Sequence, residues 1–484
     1  MAFLCIDAGT TSIKAALVTD VGEFIDLSSK NINTSMPRIG VCEMDMDELW
    51  GALCEVLERL RVKNEPIWNE IAGIGVCAQG DGAWLLDEGL KPVRPAMLWN
   101  DTRQGTISAE ELNSINKSCV EMNTTPLFSG AFPVLMQWLK ENEPQNYSKT
   151  RWILHCKDWI NYKLTGNIST DPTDASTAIF DIFEKRYRPE LLEMMNIGEV
   201  KEWLPKVIGS SDIMGTVSRE VSALTGIGVG TPVIAGSMDV LSVATGCDLT
   251  SPGQKGSIIG TTLGNFVVMD EESGRKCKSD MGSVLCHTQS GLYIRQVSAL
   301  SGASTLDWIQ REIADGMGHE VLDEKLKDIP IGSNGVVFLP FLFGERAPFR
   351  LPNAHAAFLG LRVNHTKYHM VRAAFEGLAM VLYDCYQNLP DSTPGLMIAG
   401  GGARNEFLSQ MICDVIGEPV VRINARELGI LGVSKLLSDS LERNPAMKET
   451  GRTEIQPDGS NHKSYMEIYD KYGKWLTTMK AFWT

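Results

Sequence analysis

Leu4-Cys5-Ile6-Asp7-Ala8-Gly9-Thr10-Thr11 opens the chain, and Ser257-Ile258-Ile259-Gly260-Thr261-Thr262 repeats its ending in the second half. Each copy follows a short apolar run with strand character and leads into another, Ile13 to Val18 after the first and Phe266 to Met269 after the second. Apolar runs of this length separated by a glycine-containing polar turn predict two β-hairpins. The repeat predicts two related halves facing one another, with a cleft suited to a nucleotide.

The surrounding sequence extends both halves with the same grammar. A third strand is expected before residue 30, then a helix starting near Asp45, with Leu49, Leu53, Val56, Leu57 and Leu60 at helical spacing and Asp45, Asp47 and Glu48 at its N-terminus. Ile71 to Ala78 reads as a buried strand ending at Gln79-Gly80-Asp81-Gly82, and Leu98-Trp99-Asn100-Asp101-Thr102-Arg103 as a second polar strand end. Pro133 to Asn161 reads as helical, with Pro144 as a stop. Thr231 to Asp239 gives a strand, a turn and a helix start with Asp239 at the N-cap. In the second half, Tyr293 to Val297 is a strand and Ser304 to Ala314 a helix. An apolar run follows from Gly335 to Phe343, ending at Gly344-Glu345-Arg346, and a long helix from Lys367 to Gln387. The strand Leu396 to Ala399 then runs into Gly400-Gly401-Gly402-Ala403-Arg404-Asn405 and a helix over Glu406 to Ile416. Alternating strands and helices predict mixed α/β domains.

Composition narrows the function classes. A chain of 484 residues exceeds what one core supports, so two domains are expected. A net charge of −15 argues against broad nucleic-acid or anionic-membrane surfaces. No apolar stretch approaches a membrane span, no signal peptide is read, and eleven scattered cysteines without a Cys-x-x-Cys pair fit reduced thiols in the cytoplasm. His365 and His369 have the spacing of a helical metal pair but no third ligand nearby, so a surface role is favoured.

Neither a Gly-x-x-x-x-Gly-Lys-Ser/Thr loop nor a Gly-x-Gly-x-x-Gly turn after a first strand is present. A Gly-Thr-Thr turn instead offers unhindered backbone N–H groups and two hydroxyls to phosphate oxygens. Asp7 beside a triphosphate requires a magnesium ion between them, directly or through water, and Lys14 would neutralise the transferring phosphoryl group. Taken by itself, the first motif favours phosphate over the plain alternative of a hairpin with a capping Asp and an exposed Lys, whereas Asp239 taken alone reads first as a simple helix cap.

Five ordered motifs together resemble the FGGY carbohydrate kinases: Asp7-x-Gly9-Thr10-Thr11-x-x-Lys14, Trp99-Asn100-Asp101-x-Arg103, Gly236-x-x-Asp239, Gly260-Thr261-Thr262 and Gly400-Gly401-Gly402-Ala403-x-Asn405. The resemblance spans essentially the whole chain. It includes Trp138 to Pro144, Leu164-Thr165-Gly166, Thr170-Asp171, Asp174-Ala175-Ser176 and Glu427-Leu428-Gly429. It implies two actin-like (ribonuclease H-like) α/β domains, 1–247 with the sugar, the first hairpin and the base, and 248–484 with the nucleotide. It implies ATP and Mg²⁺ as cofactors, with Asp239 as catalytic base. Gln79, Gly80, Asp81, Trp99, Asp101, Arg103 and Asp239 would meet the sugar. Gly9, Thr10, Thr11 and Lys14 would lie on the γ-phosphate side, and Gly260, Thr261 and Thr262 on the other phosphates. Gly302, Gly401, Gly402, Ala403 and Asn405 would line the rest of the nucleotide site.

The Gln79-Gly80-Asp81-Gly82-x-Trp84 form looks most like erythritol kinases and, with a different third residue, L-xylulose kinases. Asp81 as an acceptor suits vicinal hydroxyls of a neutral polyol or ketose. Two departures are visible: Leu135 stands where the family signature usually has lysine, and Leu127 where glycerol kinases would place a tyrosine. Sugar-acid or glycerol kinases of the same family are the alternatives within the class, and a non-catalytic ATP-binding sugar sensor the alternative outside it. The expected partner is a small neutral sugar or polyol, with a homodimer as the assembly.

Overall fold

The computed structural model describes residues 1–103, 107–443 and 451–483. Both Gly-Thr-Thr stretches are hairpin turns in the same setting. Ala2–Ala8 pairs antiparallel with Ser12–Thr19 and parallel with Ile71–Ala78. Lys255–Ile259 pairs antiparallel with Leu263–Met269 and parallel with Leu396–Ala399.

Packing divides the chain into two compact units, and the first is discontinuous. It holds Met1–Thr250, Asp270–Tyr293 and the segment that begins at Arg426. The division expected at 247/248 follows chain order, whereas the Leu428–Ser440 helix returns to the first unit late in the sequence. Nothing local in that helix announces the return, because an apolar face fits any complementary sheet.

In the first unit the strands run in the order Ile213–Thr216, Pro232–Ile234, Ile71–Ala78, Ala2–Ala8, Ser12–Thr19, Phe24–Asn31. The two-residue period of Ala2–Ala8 sends its side chains to opposite layers. Leu4, Ile6 and Ala8 join Leu49, Leu53, Val56, Leu57 and Leu60 of the Met46–Lys63 helix, whose cap Asp45 accepts from the Asp47 and Glu48 N–H groups. Phe3 and Cys5 join Ile430, Val433 and Leu437 of the returning helix. Asp7 continues that second series, so the same alternation that buries Phe3 and Cys5 carries its carboxylate toward the start of the returning helix.

That helix lies close against Asp239–Gly246. A methyl placed on Gly432 would stand 1.8 Å from Ser242 O, and one on Gly246 would stand 2.3 Å from Leu428 O. Only glycine permits this approach.

In the second unit the strands run Tyr293–Ala299, Leu263–Met269, Lys255–Ile259, Leu396–Ala399, Val420–Ile423, Arg452–Ile455. The helices Ala303–Glu312, Lys367–Tyr386 and Glu406–Ile416 match their expected positions to within two residues or so. The region Pro133 to Asn161 differs from expectation: helices Phe132–Asn142 and Pro144–Lys149 are followed by the strand Trp152–Leu154 and the helix Cys156–Thr165. Pro144 ends the first helix, and Trp152–Leu154 is drawn into antiparallel pairing with Trp84–Leu86. Among the described residues no helix is long and apolar enough to cross a membrane.

Gly432→Ala is expected to force the two helices apart and destabilise the first unit by about 1–3 kcal/mol, read as a lower urea midpoint with an unchanged slope.

Candidate functional site

The first hairpin, the Ile71–Ala78 strand end and the Asp239 helix start converge because parallel strands deliver their C-terminal ends to one side. Thr10 is the hinge of this arrangement. Its hydroxyl donates to Gln79 Oε1 at 2.9 Å and accepts from Trp99 Nε1 at 3.0 Å. Gln79 Nε2 adds a bond to Gly9 O at 3.4 Å. Gln79 and Thr10 therefore brace each other, and Thr11, which is exposed, is the hydroxyl left facing solvent on this turn.

Asp81 takes a left-handed φ of 57°, and Gly82 one of 77°. A methyl on Gly82 would meet Met97 O at 2.5 Å. This tight turn holds the Asp81 carboxylate near enough to Asp239 to act on it electrostatically. Asp239 is the first residue of its helix, with Met238 rather than Asp239 in the capping position. Its Oδ1 instead accepts from Val240 N at 2.6 Å, and its pKa is pushed up to about 7. Desolvation is the largest cause, followed by the charge of Asp7, with Asp174 and Asp81 adding to it. Asp7 is raised to about 6, again chiefly by desolvation; Lys14 opposes the shift and Glu427 adds to it.

Beneath this surface lies a buried ionic network that sequence reading missed. Lys157 Nζ stands 2.6 Å from Asp158 Oδ1, 3.4 Å from Asp171 Oδ1 and 3.3 Å from Asp174 Oδ2, all of them fully or almost fully buried. Burial alone would lower the Lys157 pKa, but the three carboxylates outweigh it and hold the ammonium charged. His155, Asp158 and Asp174 offer atoms within 4.8 Å of one another, the spacing of a metal cluster. Lys157 already supplies the cation there, so the cluster is an ammonium site. The network reaches the residue before Asp239 through Thr173, whose hydroxyl donates to Asp171 Oδ1 at 2.9 Å and accepts from Met238 N at 2.8 Å. In the sequence these residues show only as scattered charges around Asp174-Ala175-Ser176, and their burial is a tertiary fact.

Asp101 and Arg103 sit together but turn inward. Asp101 accepts from Cys42 N at 2.8 Å and from Arg103 Nε and Nη2 at 2.9 and 2.7 Å. Arg103 also reaches Glu43 at 2.5 Å and lies over the Trp138 ring. Both carboxylate oxygens are thus engaged in bracing the loop that carries Trp99.

In the second unit, Gly302 packs on the other hairpin so tightly that a methyl would lie 2.4 Å from Thr261 O. Ala303 N donates to Gly260 O at 2.8 Å, and Ser304 Oγ to Thr261 O at 2.7 Å. Glu345 organises the preceding loop, accepting from Leu300 N at 2.7 Å and Ser301 Oγ at 3.0 Å. Gly400 and Gly402 press on Ile259, whereas Gly401 faces open space. The structure thus brings Gly260–Thr262, Gly302 and the Gly401–Asn405 turn together. Ala403 is buried, and Asn405 caps the next helix through Leu408 N at 2.7 Å while its amide contacts Asp323 at 3.1 Å. His365 and His369 lie side by side, but His365 Nδ1 accepts from Arg362 N, His369 Nδ1 accepts from Thr366 N, and His369 Nε2 lies against the Asn334 amide.

Residues 2–246 match the N-terminal domain of the FGGY family of carbohydrate kinases, and residues 258–438 match its C-terminal domain. The chain belongs to this family and is an ATP-dependent carbohydrate kinase. It is 27% identical over 486 residues to a probable L-xylulose kinase of Pasteurella multocida, covering 99% of each chain. It is also 27% identical over 503 residues to an erythritol kinase of Brucella abortus, covering 99% of this chain and 96% of the other. Its fold matches a solved structure described as a "xyloylose kinase from Brucella ovis", with a TM-score of 0.90 at 24% identity over 100% of both chains.

Asp101→Ala is expected to leave the Arg103 guanidinium buried without its main partner and to cost about 3–5 kcal/mol in chemical denaturation, whether or not a ligand is present.

Proposed function

We propose that the protein transfers the terminal phosphoryl group of magnesium-ATP to a hydroxyl of a small neutral ketose or polyol, a pentulose such as L-xylulose or xylulose, or a tetritol such as erythritol. The observation that carries this reading is the Asp239 carboxyl, set at a helix start with its pKa pushed up to about 7. A general base works best when its pKa lies near the operating pH.

The residues present fit a magnesium-nucleotide. Asp7 places negative charge beside the first hairpin, and no neighbour obstructs a methyl's worth of space at Gly9 more closely than 3.5 Å. Bound magnesium-ATP would supply the phosphoryl group and a divalent charge. Asp7 would face the metal, and Gly9, Thr11 and Lys14 the phosphoryl group. Gly260 to Thr262, with Gly302 and the Gly401–Asn405 turn, would hold the part of the nucleotide that does not move. Asp239 would orient the sugar hydroxyl and take its proton, and Asp81 would accept from neighbouring hydroxyls. Gln79, Gly80, Trp99, Asp101 and Arg103 would shape that pocket, mostly by bracing it.

A neutral acceptor is favoured over a sugar acid on charge. Asp7, Asp81 and Asp174 already raise the Asp239 pKa, and an added carboxylate would meet the same repulsion.

A coupled ADP-release screen over C3 to C6 polyols, ketoses and aldonates is expected to show turnover with a neutral acceptor and slow hydrolysis without one. Preference for an aldonate, or full-rate hydrolysis without sugar, would overturn the reading. Asp239→Asn should still bind ATP while kcat falls by about 10²–10⁴-fold.

The Asp239 pKa also predicts two pH effects of opposite sign. Catalysis needs the ionised carboxylate, so kcat/KM should rise with pH through about 7. Stability runs the other way. The folded pKa lies above the unfolded value, so the favourable contribution of the protonated group is present at low pH and lost as pH rises through about 7. Asp239→Asn should therefore be more stable than the parent at pH 8, by about 1–2 kcal/mol after allowance for its partial exposure, and the gain should shrink toward pH 4 in thermal melts.

A further inference from the structure

The first hairpin receives a charge from far along the chain. Lys14 Nζ donates to Glu427 Oε2 at 2.6 Å across 413 positions of sequence. The two side chains are 29% and 23% exposed, so the pair is sheltered without being sealed. Glu427 itself is left-handed, with φ 54° and ψ 50°, immediately before the Leu428–Ser440 helix. A residue with a side chain holds that conformation only where its surroundings dictate it. Here they do, since a methyl on Gly429 would lie 3.2 Å from Cys77 Sγ and 3.7 Å from Asp7 Oδ2, and Gly432 is seated on Ser242. Asp7 and Lys14 are direct partners in the hairpin register. The ammonium therefore stands with Asp7 opposite it in the ladder and Glu427 on its tip.

We propose that Glu427 is a positioning residue for Lys14. Its carboxylate occupies the ammonium while no nucleotide is bound, standing in for the terminal phosphate, and a nucleotide that carries that phosphate exchanges one anion for another. This rests on the kinase reading and on Lys14 lying at the γ-phosphate side. The device makes the empty hairpin electrically complete and sets a cost on binding that only a terminal phosphate incurs. A nucleoside diphosphate leaves the Lys14–Glu427 pair intact.

Calorimetric titration with magnesium and either ADP or a nonhydrolysable ATP analogue tests this directly. Glu427→Gln should tighten the analogue by about 3–10-fold and leave ADP unchanged, because the ion pair no longer has to be opened. Its KM for ATP should fall together with kcat, since Lys14 loses the group that holds it in place. Glu427→Gly removes the carboxylate and also relieves the left-handed strain, so it should melt no lower than the parent and show the same shift. Lys14→Met should bind the analogue no better than ADP, and adding Glu427→Gln to it should change neither affinity. Equal shifts for both nucleotides, no shift in either Glu427 variant, or a Glu427 effect that persists without Lys14 would overturn this inference alone. A parent protein that binds neither nucleotide would overturn the kinase reading with it.

Discussion

Carboxylates buried close to one another are the constraint around which the first unit is built. Asp7, Asp81 and Asp174 all act on Asp239, and each resists ionisation of its carboxyl. Left to relax, such groups would move apart or bind protons. The backbone prevents the first response. Asp7 is fixed by strand register, Asp81 by two successive left-handed residues, Asp174 by the Lys157 network and Asp239 by its helix start. What remains, with burial as its largest cause and this repulsion added to it, is an elevated pKa at Asp239.

Two lysines keep this crowding tolerable, and they do so differently. Lys157 is buried and shared among three carboxylates, so its charge is a permanent part of the foundation. Lys14 is partly exposed and, among the described residues, forms one ion pair, with Glu427, so its charge can be redirected. Asp101, by comparison, has both oxygens committed to Arg103 and Cys42, and Asp81 is carried on an irregular turn. Motif membership alone does not distinguish the group that braces from the group that presents.

Much of this was legible in the sequence, and the parts that were not share a cause. Hairpins, capped helices and the glycine-rich turn are local, so Asp45, Gly9 and Gly400 announce them through spacing and residue type. The ordering of motifs also pointed to the family that the domain matches show. Register and burial are non-local. Asp101 and Arg103 read as ligand groups because polar residues at a strand end usually face outward, and only packing against Cys42, Glu43 and Trp138 turns them in. Thr10 looked like a phosphate donor, yet its proton goes to Gln79, a residue 69 positions away. Trp152–Leu154 was hidden inside a helical pattern because its partner strand lies at Trp84–Leu86.

The return of the Leu428–Ser440 helix also has a consequence during synthesis. Phe3, Cys5 and Ile234 are covered by residues that leave the ribosome about two hundred positions after Ile234. At roughly 5–20 residues per second, that apolar layer of the nascent sheet stays open for about 10–40 s. Most of the second unit lies within that interval of the chain, and its last strand, Arg452–Ile455, and last helix, Gly459–Trp483, follow it. The first unit begins forming early but closes only after most of the second unit has emerged, which makes the uncovered sheet the natural docking surface for a holding chaperone and the point where a product truncated before Leu428 would aggregate.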